Sequence, residues 1–377
     1  RIRTVTRETD TVARLGGDQF LVQVEAVAGE QTLAAMARNV LRAADAPLRV
    51  AGRDVVASLS IGVALAGEYA DDVDGLLKCA DAAMRAAKLA GGSRHRAYEP
   101  QMEADHRQRL DLDLRLRRAL ERGEFFLVYQ PIVDAEGHGI FAVEALLRWA
   151  DPERGVISPA DFIPLLEQSG LIVPVGRWTM HEACRRGRAW IAKGADDLVL
   201  SVNVSPRQFA EPDFVQTVAA VLAETGLPRG HLQLEVTEGL LLEPTPQTLH
   251  KIDALVAAGV RLAVDDFGMG YSSLAYLKRF PLHALKIDRM FVRDLPEQRQ
   301  DAAIVRAIVD LGHGLGLHVT AEGVEDADQF HELRRLGCDS MQGYLFARPV
   351  AAAEVAGVLA QPGRFGAAPS EPAPSWS

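Results

Sequence analysis

Two adjacent carboxylates, Asp265 and Asp266, follow a short apolar stretch in the segment RLAVDDFGMGYSS at residues 261–273. Gly268 and Gly270 allow backbone conformations that other residues resist, so the loop after the acids can fold tightly over whatever they hold. Two acids at the end of a strand indicate a hard metal ion and its substrate. The same letters are typical of a solvent-exposed turn, since Asp and Gly are ordinary turn residues.

The rest of the chain favours the metal site over the turn. Seven apolar runs, including the one before the two aspartates, end in side chains that could bind a cation or a phosphate, namely Glu144, Asn203, Glu235, Glu238, Asp265, Asp266, Lys286, Asp288, Glu322, Glu325 and Gln342. One such residue is often just a helix cap, but capping does not explain so many strand ends together. Oxygen ligands without His or Cys select Mg²⁺ or Mn²⁺.

The elements that carry these residues predict a (β/α)₈ barrel. From Phe125 onward eight apolar runs alternate with helical patterns over about 240 residues, the size of such a barrel; the helical patterns include residues 173–192, 214–225, 247–258, 301–315 and 326–336. All strands of a barrel open with their C-terminal ends on one face. We therefore expect the polar residues to meet in one bowl.

Such a bowl suits phosphodiester hydrolysis. Two cations about 4 Å apart would clamp a phosphodiester, generate a hydroxide and stabilise the leaving oxygen. Lys286 could orient the attacking water or balance charge. Arg148, four residues after Glu144, could hold a phosphate oxygen or form a salt bridge on the barrel rim.

Length and composition limit the alternatives. A chain of 377 residues fits two domains, and its formal charge of −10 argues against a nucleic-acid polymer as partner. Cys79, Cys184 and Cys338 lie far apart, which is typical of reduced residues in a cytoplasmic protein. No run of apolar residues is long enough to span a membrane. Because the chain begins at Arg1 without a methionine, we expect that an upstream part, with sensors or membrane spans, is missing.

The first hundred residues predict a small α/β unit. Gly16 and Gly17 join two apolar stretches into a β-hairpin at 11–24; helices are predicted at 31–44 and 73–89, and a strand at 55–64. A charged, leucine-spaced helix at 99–115 links this unit to the barrel. The Pro-, Ala- and Ser-rich segment 362–377 is predicted to be disordered.

The first unit resembles a known family. The phrases RLGGDQF, SLSIGVA and ADAAMRAAKLAGGSR are similar to GGDEF domains, the diguanylate cyclases. Arg7 and Asp10, in RETD, match that family's RxxD site for cyclic di-GMP, although a surface ion pair is an equal alternative. Gln19 replaces an acid of the family motif, and the front half of the domain is absent. The resemblance thus implies a regulatory or remnant module at residues 1–98 rather than a cyclase.

The second unit resembles EAL domains, the cyclic di-GMP phosphodiesterases. The phrases EALLRW, NVSPRQF, EVTE, DDFGMGYSSL, LKIDRMFV, AEGVE and QGYLFARP occur in the family's order over residues 116–361. The resemblance implies hydrolysis of cyclic di-GMP to linear pGpG in bacterial signalling, with two Mg²⁺ or Mn²⁺ ions. It also implies a homodimer through the barrel. Met269 stands where the family usually has Thr, and this departure is expected to affect the packing of the loop and the turnover rate.

The resemblance assigns roles residue by residue. It implies the metal ligands Glu144, Asn203, Glu235, Asp265, Asp266 and Glu322, and it implies catalytic roles for Glu144, Asp265, Lys286 and Glu322, with Lys286 positioning the water. Glu238 would anchor the loop after the two aspartates. Gln342 and Asp288 would contact the substrate or the metal-bound water, with Glu325 in support.

Two other functions stay open. A sensor would hold cyclic di-GMP through Arg148 and the barrel mouth, or through Arg7 and Asp10, without hydrolysing it. Sensors of this family usually lose the Glu of the EAL motif or one of the two aspartates, and this chain keeps both. A diguanylate cyclase is disfavoured by Gln19.

Overall fold

Two compact units make up the chain, Arg1–Leu112 and Asp113–Ser377. The structure, a computed structural model, describes residues 1–27, 29–50, 53–55, 57–70, 72–136, 139–241, 245–268 and 277–359. Met269 and the segment 362–377, which the sequence analysis interprets, lie outside these residues. Among the described helices, none is long and apolar enough to cross a membrane.

The first unit combines short strand pairs with two helices. Its strands are β1 Thr11–Gly16, β2 Gln19–Gln23, β3 Leu48–Val50, β4 Arg53–Val55, β5 Ser60–Val63 and β6 Arg94–Ala97, and its helices are α1 Glu30–Asp45 and α2 Val73–Leu89. The predicted hairpin is confirmed, since β1 and β2 pair antiparallel around Gly17, whose φ is +54°. Both predicted helices are confirmed as well.

The single strand predicted at 55–64 is wrong. Val55 ends β4, which pairs antiparallel with β3, whereas β5 begins only at Ser60 and pairs parallel with β6. Strand β5 also packs closely on α2, because a Cβ on Gly62 would lie only 1.9 Å from the Ala80 carbonyl oxygen. The apolar residues continue through 55–64, but the two ends of this segment pair with different strands. The periodicity of one segment does not show with which strand each part will pair.

The second unit is a closed eight-stranded barrel with surrounding helices. Helix α3, Gln101–Ala119, leads into it, and the strands that follow are β7 Phe125–Asp134, β8 Ile140–Asp151, β9 Gly155–Ile157, β10 Val199–Val204, β11 Leu232–Thr237, β12 Arg261–Phe267, β13 Ala284–Ile287, β14 His318–Ala321, β15 Ser340–Met341 and β16 Val350–Ala351. The helices are α4 Pro159–Ser169, α5 Ile172–Ile191, α6 Pro206–Ala210, α7 Phe214–Thr225, α8 Glu238–Leu241, α9 Pro246–Ala257, α10 Arg299–Gly314, α11 Ala327–Leu336 and α12 Ala352–Leu359.

The barrel class is confirmed, with one departure from a regular (β/α)₈ pattern. Strands β8, β10, β11, β12, β13, β14 and β15 run parallel, and β7 closes the barrel between β15 and β8, antiparallel to both. Only residues 135–139 join β7 to β8, and a parallel crossover needs a dozen or more residues. The first two strands therefore form a hairpin.

The apolar residues of the barrel strands form the core of the second unit. All four residues of β13 are buried, and so are the first five of β11, as strands covered on both faces require. Leu234, Val264 and Leu285 are fully enclosed. This packing leaves few positions for charged side chains, and Glu235, Asp265 and Lys286 lie toward the C-terminal ends of their strands.

Candidate active site

The ammonium of Lys286 lies among four carboxylates. Its Nζ atom is 2.7 Å from Glu235 Oε2 and 2.5 Å from Glu322 Oε1. Glu144 Oε2 and Asp265 Oδ1 lie 3.4 Å and 3.5 Å from the same nitrogen. Because the lysine is only 1% exposed, water screens these contacts weakly. The structure thus brings together five side chains that the sequence analysis expected to meet.

Neighbouring strands position these five side chains. Glu144 lies on β8, Glu235 on β11, Asp265 on β12 and Lys286 on β13, and Glu322 directly follows β14. These strands belong to one parallel set, so their C-terminal ends open on the same face. The sequence predicts Glu144 at the end of its strand, but in the structure it lies near the middle of β8. The strand is longer than predicted because its last residues pair with β9.

Three donors surround the Glu144 carboxylate. Asn203 Nδ2 donates to Oε1 at 2.5 Å, and Gln342 Nε2 donates to Oε2 at 2.8 Å. Burial would raise the pKa of Glu144, but the Lys286 ammonium and the two amides outweigh burial and hold the pKa below its usual range. Glu144 therefore stays ionised and ready to act as a ligand.

Two other acids of the cluster, the buried Glu235 and the half-buried Glu322, are not fully compensated. Burial and the charge of Glu144 raise the pKa of Glu235 well above its usual value. Burial also raises the pKa of Glu322. The charge of Lys286 offsets this rise only in part, and the pKa is about 8. Glu235 Oε1 is buried and accepts no hydrogen bond from the described residues. One lysine does not balance four acids, so the cluster suits an additional cation.

Asp265, Asp266 and Glu322 form a group that could hold a metal ion. Each offers one carboxylate oxygen, and the three oxygens lie within 4.8 Å of one another. Burial and the charge of Asp265 raise the pKa of Asp266 to about 6, and the Asp288 side chain hydrogen-bonds to Asp266. Carboxylate oxygens crowded in this way fit a hard divalent cation.

Glu238 anchors the chain that follows the two aspartates. Its buried carboxylate accepts a hydrogen bond from the backbone N–H of Gly268, with 3.1 Å between Oε2 and N. Gly268 has a φ of +104°, and a Cβ there would lie 2.8 Å from the Phe291 ring, so this position requires glycine. The contact connects the end of β11 to the exit of β12, where Asp265 and Asp266 lie.

Replacing Glu238 with alanine is expected to lower the hydrolysis rate about 10- to 100-fold, since partners that orient ligands typically contribute that much. The free energy of unfolding should fall by only about 1–3 kcal/mol. Steady-state kinetics and thermal unfolding measure the two effects. Glu238→Gln is the matched control, because its amide oxygen can still accept from Gly268. A lower melting temperature with an unchanged rate in Glu238→Ala would show a purely structural role.

Other predicted residues lie at the rim or elsewhere. The half-buried Arg148 shares a strand with Glu144 and donates to the Leu147 carbonyl at 2.9 Å; burial lowers the pKa of its guanidinium, although Tyr344 and Glu144 counteract this. Glu325 is exposed, and no metal-binding group of the described acids includes it.

The structure does not pair the side chains of Arg7 and Asp10. In the first unit, Asp10 Oδ2 instead accepts from the backbone N–H of Arg7 at 2.7 Å, and the Arg7 side chain is exposed. Neither the predicted ion pair nor a ligand site is built there among the described residues, so the allosteric role stays a prediction. Gln19 is exposed at the start of β2.

Gln130 is a site contact that the sequence analysis did not single out. It lies on β7 directly opposite Glu144 of β8 and is 8% exposed. Its amide hydrogen-bonds to Gln342. The only signal in the sequence is a polar letter inside the apolar run FFLVYQP, which predicts a buried amide but not its partner.

Comparison with known proteins assigns both units. The EAL domain family matches residues 113–349, and the diguanylate cyclase, GGDEF domain, family matches residues 1–94. The chain belongs to the EAL-domain family, with a GGDEF-family segment before the barrel.

Named relatives cover nearly all of the chain. It is 43% identical over 355 residues to the bifunctional diguanylate cyclase/cyclic di-GMP phosphodiesterase MucR of Pseudomonas aeruginosa, which is 94% of this chain and 52% of MucR. It is 39% identical over 341 residues to the cyclic di-GMP phosphodiesterase PdeR of Escherichia coli, which is 90% of this chain and 51% of PdeR. The chain thus spans about half the length of these relatives.

A solved structure supports the barrel assignment. The complex of the PaMucR phosphodiesterase with c-di-GMP matches with a TM-score of 0.63 and 47% sequence identity. The match covers 65% of this chain and 99% of that chain.

Proposed function

We propose that this chain hydrolyses cyclic di-GMP to linear pGpG with two Mg²⁺ or Mn²⁺ ions. The observation that carries the proposal is the convergence of four carboxylates on the buried Lys286, next to the group formed by Asp265, Asp266 and Glu322. The barrel's relatives MucR and PdeR are named as cyclic di-GMP phosphodiesterases. Bacterial second-messenger signalling is the corresponding role.

The proposed ligands of the metal ions are Glu144, Asn203, Glu235, Asp265, Asp266 and Glu322. When bound, the cations would supply a water of lowered pKa as nucleophile and neutralise charge on the phosphodiester. The acids that face Lys286 could then be ionised together, because the cations compensate the crowding that now raises the pKa of Glu235 and Glu322.

The remaining residues would act on the substrate and the water. Lys286 Nζ, held by four carboxylates, is a fixed donor that can orient the attacking water. Arg148 on β8 can hold a phosphate oxygen. Asp288, whose side chain lies next to Asp266, would contact the substrate or the metal-bound water, and Gln342 holds Glu144 through its Nε2 atom.

The first unit, 1–98, is proposed to be regulatory rather than a cyclase, because an amide at Gln19 cannot act as a carboxylate. The linker 99–115, the barrel 116–361, the homodimer and the cytoplasmic location stay predictions. Incubation with GTP and Mg²⁺ tests the first part, since formation of cyclic di-GMP would contradict it.

Turnover of cyclic di-GMP by the purified chain tests the main proposal. We expect pGpG to form with Mg²⁺ and with Mn²⁺. We expect no pGpG in the presence of EDTA, because a lysine cannot replace the cations. Chromatography separates the product from the substrate. Glu332→Gln, on the outer helix α11 and paired with Arg335, is the control and should keep full activity. Tight binding of cyclic di-GMP without product under all metal conditions would indicate a sensor instead.

A further inference from the structure

Two buried amides form a chain beside Glu144. Gln130 Nε2 donates to the carbonyl oxygen of Ala347 at 3.2 Å. Gln342 Nε2 donates to Gln130 Oε1 at 3.0 Å and to Glu144 Oε2 at 2.8 Å. Gln342 is 5% exposed and Gln130 is 8% exposed. The chain therefore connects a backbone carbonyl at one end with the carboxylate of a proposed metal ligand at the other.

The chemistry of the two ends determines which way each amide faces. A backbone carbonyl only accepts hydrogen bonds, so Gln130 must present its NH₂ group to Ala347 and its oxygen to Gln342. An ionised Glu144 also only accepts, so Gln342 must present its NH₂ group to both neighbours. If the Gln342 amide were reversed, its oxygen would face two other oxygens. The observed orientation is thus the one that satisfies every contact.

In this orientation one acceptor atom, the side-chain oxygen of Gln342, receives no hydrogen bond from the described residues. Gln342 Oε1 is buried and has no hydrogen-bond partner in the described part of the chain. An unpaired buried carbonyl oxygen is costly, which indicates that it meets a partner from outside the protein. It belongs to the same amide group that donates to Glu144, so the partner would be a water or an ion next to that ligand.

We propose that Gln130 is a positioning residue that orients the Gln342 amide, so that Nε2 holds Glu144 and Oε1 faces the ligands of the site. Gln130 touches neither substrate nor metal in this scheme and acts only through Gln342. Its consequence for catalysis rests on the proposed phosphodiesterase function, whereas its effect on the Gln342 amide and on metal binding does not.

A double-mutant cycle on the full chain tests the proposal. Gln130→Leu removes both hydrogen bonds of the side chain at nearly constant volume. We expect Mn²⁺ affinity, measured by calorimetry without substrate, to fall roughly 10- to 100-fold. The rate constant kcat should fall by a similar factor, and KM should not change. In the Gln342→Leu background, the same Gln130→Leu change should have no further effect on either quantity.

Gln233→Leu is the matched control. Gln233 is also a buried barrel glutamine, 4% exposed, but its Nε2 atom donates to Ser201 Oγ at 2.8 Å and not to an acid of the cluster. It should lower the melting temperature about as much as Gln130→Leu and leave Mn²⁺ affinity unchanged. Equal losses from Gln130→Leu in both backgrounds, or an unchanged Mn²⁺ affinity, would overturn the proposal.

The unmutated protein offers a second readout if Gln130→Leu does not fold. Both Nε2 protons of Gln342 should exchange slowly with solvent in the metal-free protein, because each is donated to a buried acceptor. Nitrogen-15 NMR of the side-chain amides measures this exchange. Rapid exchange of either proton would contradict the orientation. This readout needs no turnover, so it separates a failure of the orientation from a failure of the proposed function.

Discussion

Replacing Glu144 with glutamine is expected to abolish hydrolysis of cyclic di-GMP while the barrel stays folded. The three hydrogen-bond partners of the carboxylate among the described residues, Asn203, Lys286 and Gln342, approach it as donors. A glutamine has one accepting atom, so its NH₂ group must face a donor and the side chain must turn away or lose contacts. The site also loses a negative ligand. We expect kcat to fall by at least about 10²–10³-fold.

Kinetics with Mn²⁺ titration and circular dichroism check this prediction together. Glu182→Gln on α5 is the control, since Glu182 pairs with Arg185 and Arg186 on the outside of the barrel. It should retain full turnover. Turnover of Glu144→Gln equal to that of the unmutated chain would show that this acid binds no essential metal, and an unfolded variant would show that its role is structural.

Replacing Lys286 with methionine should have the largest effect on stability. The ammonium is the only cation in contact with four carboxylates of the cluster among the described residues. Removing it leaves buried acids uncompensated, and breaking a buried ion cluster in this way costs about 3–5 kcal/mol. Turnover should be lost as well, because the donor to the water is gone.

The pH dependence of this variant follows from proton binding. The folded-state pKa of Glu322 is about 8, above its ordinary value, so the folded protein binds more protons than the unfolded chain at intermediate pH. The contribution of such a group to the free energy of unfolding falls as the pH rises from the ordinary pKa of a carboxyl group to about 8. Without the lysine the pKa rises further. The loss of stability in Lys286→Met should therefore be largest at alkaline pH and diminish as pH falls toward the ordinary range of a carboxyl group.

Chemical denaturation of metal-free protein across this pH range measures the effect, and added Mn²⁺ should restore part of the stability. Lys251→Met is the matched control: Lys251 donates to the carbonyl oxygens of Phe209, Ala210 and Glu211 at 2.6–3.0 Å and contacts no carboxylate in the described structure. The free energy of unfolding of Lys251→Met should be lower by about 1.5–3 kcal/mol. This loss should depend neither on Mn²⁺ nor on the titration of the acids around Lys286. Equal behaviour of the two variants would contradict the charge argument.

Much of the architecture is visible in local patterns. The barrel class follows from eight apolar runs with helices between most of them, and helices α2 and α7 follow from periodicity, at the bounds predicted. The strand at 55–64 fails because its halves pair with different neighbours. The hairpin of β7 and β8 was not predicted either, although five linking residues are too few for a crossover. In both cases pairing, which local periodicity does not encode, decides the outcome.

The sequence by itself determined which residue types stand at the barrel mouth, since carboxylates, amides and one lysine end runs that must otherwise be buried. The tertiary structure decided what each of them contacts. Lys286 meets four acids because neighbouring parallel strands bring their ends to one face, and Gln130 reaches Gln342 across 212 positions only because β7 closes the barrel. The physical reason is that polarity is a property of each residue, whereas distance and charge compensation arise only when strands distant in sequence pack side by side.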